Sequence, residues 1–226
     1  ALFEDPRPTG ETLKRSEVTL RRPVDPGKVI AMYNNFGALL TKMNVARPVD
    51  PQYLLKPSNT FNDPDARIPD PRIDSRVIFE GELAIVIGRR ARRVSEAEAL
   101  SHVFGYTCVN DVTAVDYLTR DPGFAHWVRA KGLDGFCPFG PGVATGLDPE
   151  KLVVRSILNG QVRQEYPISD MLFSVPQLVS RLSHDMTLEA GDLILCGTSV
   201  GVGTMKPGSR IEIQIDGIGT LANDYA

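Results

Sequence analysis

Cysteine is scarce in this chain: Cys108, Cys137 and Cys196 are the whole set, and no two are closely spaced. An odd count without a close pair excludes a disulfide framework and a thiolate zinc site, and it suits a reducing compartment with buried, structural thiols. Long apolar runs are absent too. The stretch 83–87 falls far short of the roughly 20 residues that span a bilayer, and the start, Ala1-Leu-Phe-Glu-Asp-Pro, lacks the basic and apolar segments of an export signal. The expectation is a cytoplasmic protein with no membrane partner. Charge of one sign is missing as well, since the formal net charge is only −3. The cluster Arg89-Arg90-Ala91-Arg92-Arg93 then reads as a solvated strand end, and no nucleic-acid partner is expected. Internal repeats and low-complexity segments do not occur.

What remains is 226 residues that are 42% hydrophobic, enough for one domain with a sizeable core. Residues 1–27 carry four prolines and end at Pro26-Gly27, which marks an N-terminal arm or small appended segment ahead of a main domain over 28–226. A short strand at 29–32 is followed by 47–71, dense in Pro, Asp and Asn, read as a long ordered loop of the kind that carries sites. Ser95-Glu-Ala-Glu98 and Ser174-Val-Pro-Gln177 are capping boxes. The first predicts a helix through about Val103 and then a strand over 104–109 that delivers Asn110-Asp111, the second a helix with Val175, Leu178, Val179 and Leu182 on one face. Asn159-Gly160 and Asp216-Gly217 each lie between apolar runs, the signature of tight hairpins. Strands outnumber helices without regular βαβ alternation, so the expected class is α+β, with mixed and antiparallel sheets and a few helices in a single domain.

Glu80 and Glu82 stand where carboxylates are least expected, inside the apolar run Arg76-Val-Ile-Phe-Glu80-Gly-Glu82-Leu-Ala-Ile-Val-Ile-Gly88. Read as one strand, its alternation puts Ile78, Glu80, Glu82, Ala84 and Val86 on a single face, so the two carboxylates converge. Burying them unpaired costs several kcal/mol, which calls for a metal, an arginine pair or a raised pKa. Asp111, at a strand end, is the natural third carboxylate. Three carboxylates without a convergent histidine or cysteine favour a hard cation, Mg²⁺ or Mn²⁺, with about half of its roughly six positions left for water or substrate. Lys131 lies between Trp127 and a glycine- and proline-rich turn, where it could hold a carboxylate or move a proton. Cys196-Gly197-Thr198-Ser199-Val-Gly-Val-Gly203 is a glycine-rich turn after a strand at 193–195. It lacks the lysine of a P-loop and the helix of a dinucleotide fingerprint, so it points to a substrate carboxylate over a nucleotide. Of the three histidines, His102, His126 and His184, His126 alone is near these motifs. The competing reading is a structural ion-pair cluster of the glutamates with Arg76 or Arg129, in a non-catalytic binding module.

Several motifs, taken in order, carry a resemblance: Phe79-Glu80-Gly81-Glu82-Leu83; Gly105-Tyr-Thr-Cys-Val-Asn110-Asp111-Val-Thr-Ala114; Trp127 with Lys131; Phe136-Cys-Pro-Phe-Gly-Pro141; and Met186-Thr-Leu-Glu-Ala-Gly-Asp-Leu-Ile-Leu-Cys-Gly-Thr198. From about residue 28 to 223 the chain resembles the fumarylacetoacetate hydrolase family, including its 2-hydroxyhepta-2,4-diene-1,7-dioate isomerase-like members, and Lys56-Pro57-Ser58 resembles the family's lysine-proline segment. The resemblance implies a β-rich fold and a homodimer acting on small 2-oxo or β-diketo acids. It implies Mg²⁺ or Mn²⁺ on Glu80, Glu82 and Asp111, Lys131 as the catalytic lysine in the pocket, and Thr198 at a substrate carboxylate; Gly197, in the glycine-rich turn, and His126, near the motifs, are further candidates for substrate binding. Two departures stand out. The histidine that helps activate water in many members is replaced by Leu39, or by Phe36 in the other register, and Val115 replaces the usual arginine after the metal aspartate. The expected chemistry is a metal-stabilised enolate. Without the histidine, isomerisation, tautomerisation and decarboxylation gain weight over C–C hydrolysis of acylpyruvate or fumarylacetoacetate-like substrates.

Overall fold

Short runs of β-branched and apolar residues make strands here, and glycine, asparagine and proline turn them. The computed structural model describes residues 9–226. Its central sheet has seven strands: β1 (Val29–Tyr33), β2 (Gln52–Lys56), β3 (Phe61–Asn62), β6 (Gly81–Ile87), β7 (Val103–Asn110), β9 (Cys137–Ala144) and β12 (Leu193–Leu195). They lie in the order β2-β1-β12-β6-β7-β9-β3. A five-stranded sheet holds β4 (Arg67–Ile68), β10 (Val153–Leu158), β11 (Gln161–Pro167), β14 (Arg210–Ile215) and β15 (Gly219–Tyr225). A third joins β5 (Val77–Phe79), β8 (Thr113–Ala114) and β13 (Gly203–Thr204). With four α-helices and both parallel and antiparallel pairings, this is the mixed, β-rich single domain expected.

The central sheet curls strongly. β2 and β3 lie at its opposite edges, yet only residues 57–60 separate them. Those few residues reach at most about 18 Å, whereas a flat seven-stranded sheet would be about 29 Å across. Curling gives the sheet an inner face, where Val29, Ala31, Ala84, Val86, Val109, Phe139, Leu193 and Leu195 form a small core. The alternate residues Ile30, Met32, Leu83, Ile85, Cys108 and Ile194 join the larger outer core. Glu82 shares the inner face with Ala84 and Val86 by the period of two.

Helix α4 (Val175–Asp185) has the expected capping box at Ser174 and Gln177 and buries Val175, Leu178, Val179 and Leu182. At the first hairpin Asn159 and Gly160 both adopt left-handed backbone, φ 51° and 78°, as a tight type I′ turn requires. Helix α1 (Gly37–Met43) follows β1, and α3 (Trp127–Lys131) packs near β2 and β8. The first capping box opens α2 (Glu96–Ala99), which tightens into a 3₁₀ turn through His102 before β7. No described helix is long and apolar enough to cross a membrane.

Two expectations change. The run 76–88 is two strands, β5 and β6, in different sheets, because the chain breaks at Glu80. There the Glu80 N–H donates to Asn110 Oδ1 at 2.9 Å and its carbonyl accepts from Asp111 N at 2.9 Å. Residues 47–71 form no continuous loop but hold β2, β3 and β4, each too short to register as a pattern and each set by a partner distant in the chain. Of the arm, residues 1–8 lie outside the described residues. The rest docks on its own chain, through Arg15 to Asp65 at 2.6 Å, Arg21 to Asp63 at 3.0 Å and the buried Val24.

Candidate active site

β6 and β7 are antiparallel with Gly81 opposite Asn110, so the residues flanking Gly81 meet the residue just past the end of β7. That register assembles Glu80, Glu82 and Asp111, which offer carboxylate oxygens all within 4.8 Å of one another. Glu82 and Asp111 are buried, and Glu80 keeps 16% of its side chain exposed, giving the cluster its access to solvent. Gly81 has to be glycine: a Cβ there would stand 2.1 Å from Ser156 Oγ and 2.8 Å from Ile213 Cδ1.

Two lysines meet the carboxylates. Lys131, the last residue of α3, donates from Nζ to Asp111 Oδ2 at 2.5 Å, Glu80 Oε2 at 2.7 Å and Thr113 Oγ1 at 2.7 Å. Lys56, the last residue of β2, donates to Asp111 Oδ1 at 2.5 Å and to the carbonyl of Lys131 at 2.8 Å. The arginine pairing weighed from the sequence is not made. Arg76 pairs with Asp116 at 2.7 Å, and Arg129 lies over the Tyr117 ring at 4.5 Å. Lys56 was legible only as part of a resemblance, because its partner is 55 residues away and reaches it through the curl of the sheet.

Three carboxylates against two ammonium groups leave one buried negative charge uncompensated. Burial pushes Glu82 well above the usual carboxylate range, and the Asp111 charge pushes the same way. Burial also raises Glu80, against the pull of Lys131. For Asp111 burial pushes up, but Lys131 and Lys56 outweigh it and hold the carboxyl low. Burial works against the Lys131 ammonium, yet Asp111, Glu80 and Glu82 raise its pKa. A group of oxygen-only ligands, short of positive charge and with one open edge, fits a hard divalent cation. Asn110 Nδ2 and Ser199 Oγ, both buried nearby in the chain, have no hydrogen-bond partner among the described residues.

The glycine-rich turn closes on the same cluster. Gly197 N donates to Glu82 Oε2 at 2.8 Å, so this N–H is committed to the carboxylate and acts by orienting it. Thr198 Oγ1 donates to Gly81 O at 3.1 Å, beside the peptide that joins the two glutamates. Two residues that sequence reasoning passed over complete this side. Tyr166 donates to Gly81 O at 2.5 Å, and Gln164 Oε1 accepts from Gly81 N at 3.2 Å. No local pattern marks them in the sequence; only the fold shows that both are buried while Arg163 and Glu165 are exposed.

His126 stands at the N-cap of α3 with its ring 5.2 Å from that of Phe124, and among the described residues no hydrogen bond joins it to the carboxylates. Neither register of the missing histidine supplies a base. Phe36 is fully buried against Tyr166 at 4.9 Å, and Leu39 packs on the outer core. All three cysteines are buried and free. Burial pushes the Cys108 and Cys137 thiols up to about 12 and Cys196 well above its ordinary value, so none serves as a thiolate.

Residues 28–225 match the family described as fumarylacetoacetate (FAA) hydrolase C-terminal. A solved 5-carboxymethyl-2-hydroxymuconate delta-isomerase from Mycobacterium smegmatis is 42% identical, with a TM-score of 0.88 over 96% of this chain and 86% of that one. An oxaloacetate tautomerase of Bacillus subtilis is 45% identical over 161 residues, 67% of this chain and 52% of the relative. A fumarylpyruvate hydrolase from Pseudomonas aeruginosa, solved with Mn²⁺ and pyruvate, is 27% identical, with a TM-score of 0.83 over 90% of this chain and 91% of that one.

Proposed function

The chain belongs to the fumarylacetoacetate hydrolase family of enzymes, and from that premise we propose that it acts on a small 2-oxo (di)carboxylic or β-diketo acid through the substrate's enolate, as an isomerase, tautomerase or decarboxylase. The observation that carries this reading is the charge deficit of the buried cluster: three carboxylates, two lysines and one open edge at Glu80. Glu80, Glu82 and Asp111 would hold Mg²⁺ or Mn²⁺, and the cation, when bound, supplies Lewis-acid polarisation of the substrate's oxygens. With a divalent cation the cluster carries one net positive charge, which matches one carboxylate of a 2-oxo acid.

In this proposal the chain's own groups do the rest. Lys131 is protonated at neutral pH because its carboxylate neighbours raise its pKa. With those carboxylates committed to a cation that support falls away, so Lys131 would take the proton leaving C3 and return it, and as the ammonium it would donate a hydrogen bond to developing negative charge on the substrate oxygen. Thr198 offers its hydroxyl to the substrate carboxylate, and Gly197 keeps Glu82 oriented through its N–H. His126 is assigned to the outer part of the substrate site. Phe36 and Leu39, where relatives carry a water-activating histidine, supply no base and support the branches that need no activated water. The proposal places the enzyme in the cytoplasm as a homodimer acting on a free small molecule.

The test is solvent deuterium exchange at C3 of oxaloacetate, an acylpyruvate and an unsaturated 2-oxo dicarboxylate, followed by NMR with and without Mg²⁺ or Mn²⁺. Metal-dependent exchange much faster than acylpyruvate cleavage is expected. Cleavage at least as fast as exchange would overturn the choice of branch, and no metal-dependent exchange on any of the three would overturn the enolate reading.

A further inference from the structure

Gln164, on β11, is 1% exposed and uses both ends of its amide. Its Oε1 accepts from Gly81 N at 3.2 Å and Ser156 Oγ at 2.7 Å. Its Nε2 donates to the carbonyls of Ser199 at 3.1 Å and Val200 at 3.4 Å, and lies 2.9 Å from Thr198 Oγ1. The amide cannot be turned over: Gly81 N–H can only donate, and the two carbonyls can only accept. The amide has two hydrogens for three acceptors, so the two nearest, Thr198 Oγ1 and Ser199 O, take them and the more distant Val200 O shares one; because the nitrogen cannot accept, the single hydroxyl hydrogen of Thr198 points away from it.

Three directions remain for that hydrogen: Gly81 O, 3.1 Å away; the Tyr166 hydroxyl oxygen, with which Thr198 shares a side-chain hydrogen bond; and the half-buried side of Thr198, beside the Glu80–Glu82 peptide. Gly81 O already accepts from the Tyr166 hydroxyl at 2.5 Å, so it stays satisfied when Thr198 turns its hydrogen elsewhere. Burial raises the pKa of Tyr166, which keeps that hydroxyl protonated and donating. Thr198 can thus redirect its hydrogen without leaving a buried carbonyl bare, a loss that would otherwise cost more than the new bond returns.

We infer that Gln164 is a positioning residue that keeps the Thr198 hydroxyl hydrogen available to a carboxylate of the substrate, by occupying the acceptor side of Oγ1 and holding the 198–200 turn. The inference rests on the assignment of Thr198 to the substrate carboxylate. Gln164 itself touches no reacting atom. On the substrate it acts through Thr198, so a variant that keeps its acceptor bond to Gly81 N changes how tightly a 2-oxo acid is held and leaves cation affinity nearly as it was.

The test is a double-mutant cycle read by binding. Pyruvate is titrated into the Mn²⁺-loaded protein by calorimetry, and Mn²⁺ affinity is measured separately by electron paramagnetic resonance. Thr198→Val should raise the pyruvate Kd by roughly 10-fold or more, the scale of one hydrogen bond to a charged group. Gln164→Glu keeps the acceptor bonds to Gly81 and Ser156 but invites the Thr198 hydrogen onto itself, and should raise the Kd by a similar factor. Each single variant should leave the Mn²⁺ Kd within about threefold, and the double variant should be no weaker for pyruvate than Thr198→Val. If Gln164→Glu fails to fold, Gln164→Met takes its place for the pyruvate readout at saturating Mn²⁺, where a pyruvate Kd equal to that of the wild type would overturn the inference. Additive effects, an unchanged pyruvate Kd in the Gln164 variant, or a parallel loss of Mn²⁺ affinity would overturn the inference while leaving Thr198 in place. No effect of Thr198→Val, or no binding of pyruvate to the loaded wild-type protein, would instead overturn the assignment beneath it.

Discussion

Arg76 and Asp116 meet at 2.7 Å with 66% and 37% of their side chains exposed, whereas Lys56 and Lys131 both meet Asp111 at 2.5 Å with at most 6% exposed. The chemistry of the two clusters is alike and their energetics are opposed. In water the Arg76 pair gains a weak, screened attraction and loses side-chain entropy, so it adds little. In the interior the lysine cluster loses hydration that its internal attraction only partly returns, and apolar residues of the same shape would often be at least as stable. The buried cluster also leaves one carboxylate charge unmatched, which a purely structural pair would avoid. An arrangement costly to stability and unbalanced in charge is what a cation and an anionic substrate can complete.

Breaking the buried side should show the largest effect. Glu82→Gln removes a proposed metal ligand while keeping an acceptor for Gly197 N, and should lower metal-dependent turnover by about 10²–10³-fold or more. The metal-free protein should become more stable at neutral pH. The folded pKa of Glu82 is raised above its ordinary 4.5, so its ionised form opposes folding. Stability of the metal-free wild type should accordingly rise as pH falls from neutral through the raised pKa values of Glu82 and Glu80. It should fall again as Asp111, whose pKa is depressed below 3.8, takes up its proton. Thermal melts across pH check this, and Glu82→Gln should flatten the first rise; a wild type that loses stability steadily from pH 7 downward would contradict it.

Next in size is Lys131→Ala. It leaves Glu80 without its ammonium partner and Asp111 with Lys56 alone, and should cost about 3–5 kcal/mol in denaturant unfolding of the metal-free protein. Solvent exchange at C3 should slow by about 10²-fold. A fully stable variant with unchanged exchange would mean that the lysine neither balances the cluster nor serves the proton. The smallest effect belongs to the exposed pair. Arg76→Ala should leave the melting temperature within the scatter of the measurement and activity within about twofold. A large loss there would erase the distinction between the two clusters.

The helix at Ser174, the hairpin at Asn159-Gly160, the strand after Ser95 and the two glutamates were all legible because each depends on residues close together in the chain. Lys56 was legible only through a resemblance, and Gln164 and Tyr166 were not. The hydrogen bonds they make to the site span 55, 83 and 85 residues, and nothing in Tyr53-Leu-Leu-Lys56 or Gln161-Val-Arg-Gln-Glu-Tyr166 distinguishes them from ordinary strand residues. The break at Glu80 was missed for a related reason: Asn110 supplies the hydrogen bond that ends the ladder, and local alternation carries no trace of it.

Local order alone determined that this chain would be β-rich, that two carboxylates would stand one glycine apart in an apolar run, and that a third would follow a strand end. Periodicity, capping and turn chemistry act over a few residues and need no fold to be read. Only the tertiary structure decided which cations meet those carboxylates and how the glycine-rich turn engages them. The curl of the central sheet brings its edges together and carries Lys56 to Asp111, while the five-stranded sheet packs Gln164 and Tyr166 against Gly81. Charge balance inside a protein is settled by such long-range closure, because a buried ion pair depends on distances in space and not on separation along the chain.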